Sequence, residues 1–243
     1  GVWTTVQLAL AGTAIAFVLA LLMVFLRIQE PDKRNNDFVK IIKIVANKFA
    51  RFYIFVIRGT PMMVQSLIFY YAIFNLFKRT GMSVTEINRV WSLFISGLVT
   101  VSLNSTAYLA EVLRGGILAV DAGQMEAARS LGMTHWQAMR RVVFPQAIKN
   151  SLPAIGNEFI INIKDSSVLC VLGVSDLMFM TRSVAGIYYK GTECYLIAAT
   201  VYLFLTYLSS LLLKTITGRM TAPDNTKRRQ GNQTVDLGLP SSN

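Results

Sequence analysis

Four stretches of this chain carry no charge over close to the length of a membrane crossing: residues 1–26, 59–77, 90–110 and 194–213. A bilayer core takes about 20 apolar residues in helical form. Lipid offers a bare backbone no hydrogen-bond partners, so such runs must satisfy their own amides. A fifth region, 142–175, is mostly apolar but is interrupted by Lys149, Glu158, Lys164 and Asp165. The fold expected is therefore an all-α integral membrane protein of about five transmembrane helices, with 142–175 as a broken fourth span. Only 15% of the residues are charged, against about 25% in soluble domains. The first run is too long and continuous for a signal peptide and lacks a basic n-region and an A-x-A exit. The chain opens on Gly1 rather than Met, which leaves room for a short upstream segment.

A net charge of +11 could suggest nucleic acid, but the positions of the cations argue for a membrane instead. With the N-terminus placed outside, Lys and Arg number seven in 27–51, four in 119–149 and five from Lys214 onward. The opposite loops hold five: Lys78, Arg79, Arg89, Arg182 and Lys190. Sixteen against five is the positive-inside bias. It orients the chain N-out and C-in, as five spans require, with lipid rather than nucleic acid as the surface partner. Residues 1–220 read as one transmembrane domain, and the polar, basic stretch 221–243 as a disordered cytoplasmic tail.

Along the chain, Phe38, Ile41, Ile42, Val45, Phe49 and Phe52 recur at helical spacing with Lys40, Lys43 and Arg51 on another face. That pattern fits an interfacial elbow steering into the second span, or a helix continuous with it. Arg58-Gly59-Thr60-Pro61 weakens helix continuity at the entry to that span. Arg58 near the bilayer is costly unless it pairs or snorkels. The third span carries Asn104, Tyr108, Glu111 and Arg114, with small residues at Ser102, Ser105, Thr106 and Ala110 that suit close packing. Glu111 and Arg114 stand three apart and can pair on one helix face. The fourth span carries Asn150, Asn157, Glu158, Asn162, Lys164, Asp165, Ser166 and Ser167. So many polar groups cannot face lipid; they face protein or a water-filled path. Pro153 and Gly156 are expected to unwind it locally. A structural alternative pairs Glu158 and Asp165 with Arg58 or Arg114.

Between the third and fourth spans lies EAARSLGMTHWQAMRRVVFPQA, Glu126 to Ala147. It reads as a short helix, a glycine turn at Gly132, a second helix and a proline stop at Pro145. On the cytoplasmic side it would present a compact knob to a soluble partner. Glu126 is placed in the first helical turn, where an acid suits the helix dipole. Ala127 and Ala128 permit close approach, and Gly132 a turn that side chains resist. No G-x-x-x-x-G-K-[ST] phosphate loop, H-E-x-x-H or G-x-S-x-G occurs. The single His135 makes no metal site. Cys170 and Cys194 fall toward the same outer face, open to a disulfide or to burial as small apolar residues.

Glu126-Ala127-Ala128, Gly132 and Val142-Val143-Phe144-Pro145 resemble the EAA loop of binding-protein-dependent ABC transporter permeases. Val142 and Phe144 stand where that pattern has Ile and Leu. Arg58–Pro61, Ala107–Ile117, Phe144–Glu158 and Lys164–Ser167 resemble the polar amino acid uptake branch of these permeases. The resemblance implies a second permease subunit, identical or related, two ATPase subunits that hold ATP and Mg, and an extracytoplasmic binding protein that delivers substrate. It implies a bacterial cytoplasmic membrane location, no catalysis and no cofactor on this chain. Glu126, Ala127, Ala128, Gly132 and Pro145 then form the ATPase-coupling site. Arg58, Thr60, Asn104, Tyr108, Glu111, Asn157, Glu158, Lys164, Asp165 and Ser166 are the candidate pathway. A zwitterionic amino acid needs groups of both signs in a low-dielectric path, and both are present. Two other classes compete. An ion-coupled carrier would usually show internal repeats and more spans, and an intramembrane enzyme would need a catalytic constellation. Neither feature appears.

Overall fold

The computed structural model describes residues 1–28 and 37–221, nearly all of them helical. The expected tail lies almost wholly outside these residues. The helices are α1 (Val2–Ile28), α2 (Asp37–Gly59), α3 (Met62–Arg79), α4 (Val84–Val90), α5 (Leu93–Leu118), α6 (Ala122–Ser130), α7 (His135–Ala138), α8 (Phe144–Asp165), α9 (Leu177–Tyr188) and α10 (Gly191–Thr221). A π-turn, Met139–Val143, joins α7 to α8, and a 3-10 segment, Ser166–Leu172, follows α8. By length and apolarity, α1, α5 and α10 can each cross a membrane, and the bent pair α2–α3 makes up to four spans. The helix α8 is too polar to qualify on composition alone.

The core is the packing of α1 on α5. Ala16, Ala20 and Val24 meet Ala107, Leu109, Ala110 and Leu113, with Ile54 and Ile57 of α2 closing the cluster. The small residues let the backbones approach: a Cβ added at Gly12 would come within 2.5 Å of Val101 Cγ1. Without water to drive association, such close contact is what holds membrane helices together.

Helix α2 runs unbroken to Gly59, so the amphipathic stretch continues past the expected elbow before the chain turns. The break falls at Thr60–Pro61, where the axis bends by 113° into α3. Pro61 has no N–H for the ladder and disfavours helical geometry at Thr60. The carbonyls freed there are recaptured by Gln65, whose Nε2 donates to Ile57 O at 2.8 Å and Thr60 O at 2.9 Å. Ahead of α5, Ser83 and Glu86 form a reciprocal cap on α4. The Ser83 backbone N–H, with its hydroxyl, holds the exposed Glu86 carboxyl below the usual carboxylate range.

Two expectations about α8 are corrected. Pro145 does not stop a helix: α7, the π-turn and α8 follow one another directly. The π-turn widens the ladder just ahead of Pro145, where that residue's missing N–H would otherwise be needed. Pro153 and Gly156 do not unwind α8 either, for it is helical throughout Phe144–Asp165. A Cβ at Gly156 would collide with the Leu213 side chain of α10, so this glycine serves close packing. Gly156→Val is expected to cost about 1–3 kcal/mol through overpacking. Less folded protein should then survive gel filtration in detergent. Gly186→Ala, where a Cβ meets open space, should not change that yield.

Candidate coupling segment and polar faces

The segment after α5 is built by caps. Asp121 starts α6, its Oδ1 accepting the Gly123 N–H at 2.7 Å. Glu126 is therefore in the second turn rather than the first, and Asp121 is the acid at the helix N-terminus. Gly132 has φ +84°, and the helix closes on two bonds: Gly132 N–H to Arg129 O at 3.0 Å and Met133 N–H to Ala128 O at 3.2 Å. This Schellman closure needs a left-handed residue at Gly132. Thr134 and Gln137 then cap α7 reciprocally. Glu126, Ala127 and Pro145 are exposed, whereas Ala128 is buried. The outcome is a stiff, capped helix–turn–helix with an accessible polar face.

Trp136, which sequence reasoning passed over, is more than half exposed. Its ring meets Phe25 of α1 edge-on, 5.6 Å between centroids. Two residues on, Arg27 Nη1 binds Glu111 Oε1, and Arg114 Nε binds Glu111 Oε2 at 3.0 Å. The predicted pairing of Glu111 with Arg114 is present, but Arg27 was not foreseen. Glu111 thus joins the ends of α1 and α5.

The other pathway candidates separate into buried and exposed groups. Asn104 is buried and donates to Gln65 Oε1 at 2.9 Å, while Gln65 Nε2 reaches Thr60 Oγ1 at 2.8 Å. Asn104, Gln65 and Thr60 thus brace the α2–α3 break. Arg58 stacks over the Tyr108 ring, 5.3 Å from guanidinium carbon to centroid. Among the described residues no carboxylate forms an ion pair with it, so the alternative of an Arg58 or Arg114 bridge to Glu158 or Asp165 is not realised. Glu158 is only 8% exposed and lies beside Ser105. Ser105 Oγ donates to Asn162 Oδ1 at 2.9 Å, and Asn162 Nδ2 donates to Thr13 Oγ1 at 2.8 Å. That chain ties α5, α8 and α1 together. Ser166 is buried too, its hydroxyl donating to Ile163 O at 3.0 Å.

Asn150, Pro153, Asn157, Lys164 and Asp165 are exposed. Asn150, Asn157 and Lys164 recur every seventh residue and share one face of α8. Cys170 and Cys194 are free and half-buried, so they form no disulfide. Among the described residues no group of three or more His, Cys, Asp or Glu converges to hold a metal.

The described residues thus combine apolar helices long enough to cross a membrane with a capped helix–turn–helix and an exposed polar face on α8. This chain belongs to the family of binding-protein-dependent transport system inner membrane components, whose model matches residues 42–222. It is an ABC transporter permease, a transport subunit rather than an enzyme. It is 31% identical to the nopaline transport system permease of Agrobacterium fabrum, over 86% of this chain and 82% of that one. It is 34% identical to the glutamine transport system permease of Escherichia coli, over 72% of this chain and 76% of that one. A crystal structure of an amino acid ABC transporter with histidines superposes with a TM-score of 0.74 at 39% identity, covering 90% of this chain and 92% of that one. The ion-coupled alternative has no support among these relatives.

Proposed function

We propose that this chain forms part of the translocation pathway of an ATP-driven importer for polar amino acids in a bacterial cytoplasmic membrane. The observation that carries this reading is the exposed polar face of α8. Asn150, Asn157 and Lys164 lie in the membrane region of the chain yet are not covered within the subunit. Polar groups at that depth cannot face lipid. A second permease subunit, the same or related, would cover this face and enclose a path between the two. Arg58 with Tyr108, Lys164 and Asp165 would supply charges of both signs to a zwitterionic solute. Separate ATPase subunits, holding ATP and Mg, would dock on Glu126, Ala127, Ala128, Gly132 and Pro145. An extracytoplasmic binding protein would deliver the substrate. The names of the relatives support amino acids as the solute class.

The test is uptake. The chain, reconstituted with its ATPase and binding protein, should accumulate at least one polar amino acid from a labelled panel only when ATP is inside. Uptake driven by an ion gradient without ATP would overturn the reading. Five spans with the N-terminus outside make a further expectation. In a background with Cys170→Ser and Cys194→Ser, Asn35→Cys should resist an impermeant maleimide added to intact cells. Strong labelling there would reverse the orientation.

A further inference from the structure

We propose that Trp136 is a second output of the coupling segment, transmitting its movement to α1 and through α1 to α5. The proposal rests on the reading of the segment around α6 and α7 as the ATPase-facing site. The contacts form one continuous series. Trp136 stands edge-on to Phe25 in the last turns of α1. Two residues later Arg27 binds Glu111, which Arg114 also holds. Asn47 of α2 donates to the Arg27 carbonyl at 2.9 Å, so the α1 end is fixed to a third helix. From there α1 and α5 move as a unit, because their shared core is close-packed through small side chains. Helix α5 carries Tyr108 beneath Arg58 and Asn104 against Gln65. A displacement of Trp136 is thereby passed to the Arg58–Tyr108 pair and to the α2–α3 break along a route that enters at α1 rather than at α8.

The direct route through the π-turn and α8 is covalent and stiff. The aromatic contact is separate from it, and nothing in the fold of α6 or α7 requires it. Trp136 is largely exposed and takes no part in its own helix cap, which Thr134 and Gln137 complete. A tryptophan whose ring stands against Phe25 of α1 is placed to report position along α1. Trp136 is therefore a positioning residue, and its loss should separate ATP hydrolysis from transport.

The test uses the complete transporter in proteoliposomes. Trp136→Ala should keep the ATPase subunits bound and hydrolysing, while amino acid uptake per ATP falls roughly tenfold, in the range of ordinary coupling energies. Trp136→Phe should restore coupling by keeping an edge contact with Phe25. A second measurement covers the case in which Trp136→Ala folds poorly. Phe25→Cys with Trp136→Cys, in the Cys170→Ser and Cys194→Ser background, should be uncoupled until a short bismaleimide joins the two positions, and coupled afterwards. Uptake and hydrolysis falling together in Trp136→Ala would make the residue part of ATPase docking and overturn the proposal. So would unchanged uptake, or a cross-link that stops uptake, since the segment would then slide past α1. Failure of the underlying reading looks different: Glu126→Lys would leave ATPase recovery and hydrolysis unaltered.

Discussion

Gly132→Asp and Glu126→Lys are expected to abolish uptake while the protein remains in the membrane at normal abundance. Gly132 sits at φ +84°, and a Cβ there would meet nothing within 4 Å. The cost of a side chain is thus backbone strain alone, about 1–3 kcal/mol for an ordinary residue held in that region. The chain can relieve it by leaving the left-handed conformation, which opens the Gly132–Arg129 and Met133–Ala128 bonds and redirects α7. The membrane helices do not depend on that turn, so their packing survives. Gly132→Asn should be milder, because Asn visits the left-handed region more readily than other side chains. Glu126→Lys leaves the turn intact and reverses one exposed charge beside the exposed Ala127. If both variants stimulated ATP hydrolysis as the unaltered chain does, the segment would have no coupling role.

The sequence made α1, α5 and α10 legible, because an uncharged run of that length has few alternatives in lipid. The bend at Thr60–Pro61 was legible as well, since proline's missing N–H is a local property. What sequence reasoning missed depended on distant partners. Pro145 and Pro153 read as breakers, yet a π-turn accommodates the first and the second lies within an intact α8. Gly156 reads as a point of local unwinding, but its role is set by Leu213, more than fifty residues away in the chain. The motif alone places Glu126 in the first turn, whereas Asp121 caps α6 earlier. Arg27 carried no signal as a partner of Glu111 until α1 and α5 lay side by side. The polar residues of α8 were recognised as a group, but only the packing divides them between the face tied to α1 and α5 and the uncovered one.

That division sets the last expectation. Asn162 bridges Ser105 and Thr13, so Asn162→Ala removes two hydrogen bonds between α5, α8 and α1, while Thr13 Oγ1 keeps its bond to Ala9 O at 2.7 Å. The loss should be about 0.5–1.5 kcal/mol per bond, toward the lower end because membrane hydrogen bonds average only about 0.6 kcal/mol. Glu158, buried beside Ser105, belongs to the same interior. Asn162→Ala and Glu158→Leu should reduce the yield of assembled transporter and leave selectivity unchanged in what survives. Lys164→Gln and Asp165→Asn should do the reverse, because both side chains are exposed and absent from the ion pairs among the described residues. A hydrogen bond to a charged group contributes about 1.5–3 kcal/mol, so losing one should weaken apparent affinity roughly tenfold to a hundredfold. The change should differ among acidic, neutral and basic amino acids, as a general loss of folding would not. Complex yield and competition for labelled uptake, measured on all four variants, separate the two roles. Reduced yield with unaltered selectivity in Lys164→Gln and Asp165→Asn would remove them from the pathway and place them in the contact between permease subunits.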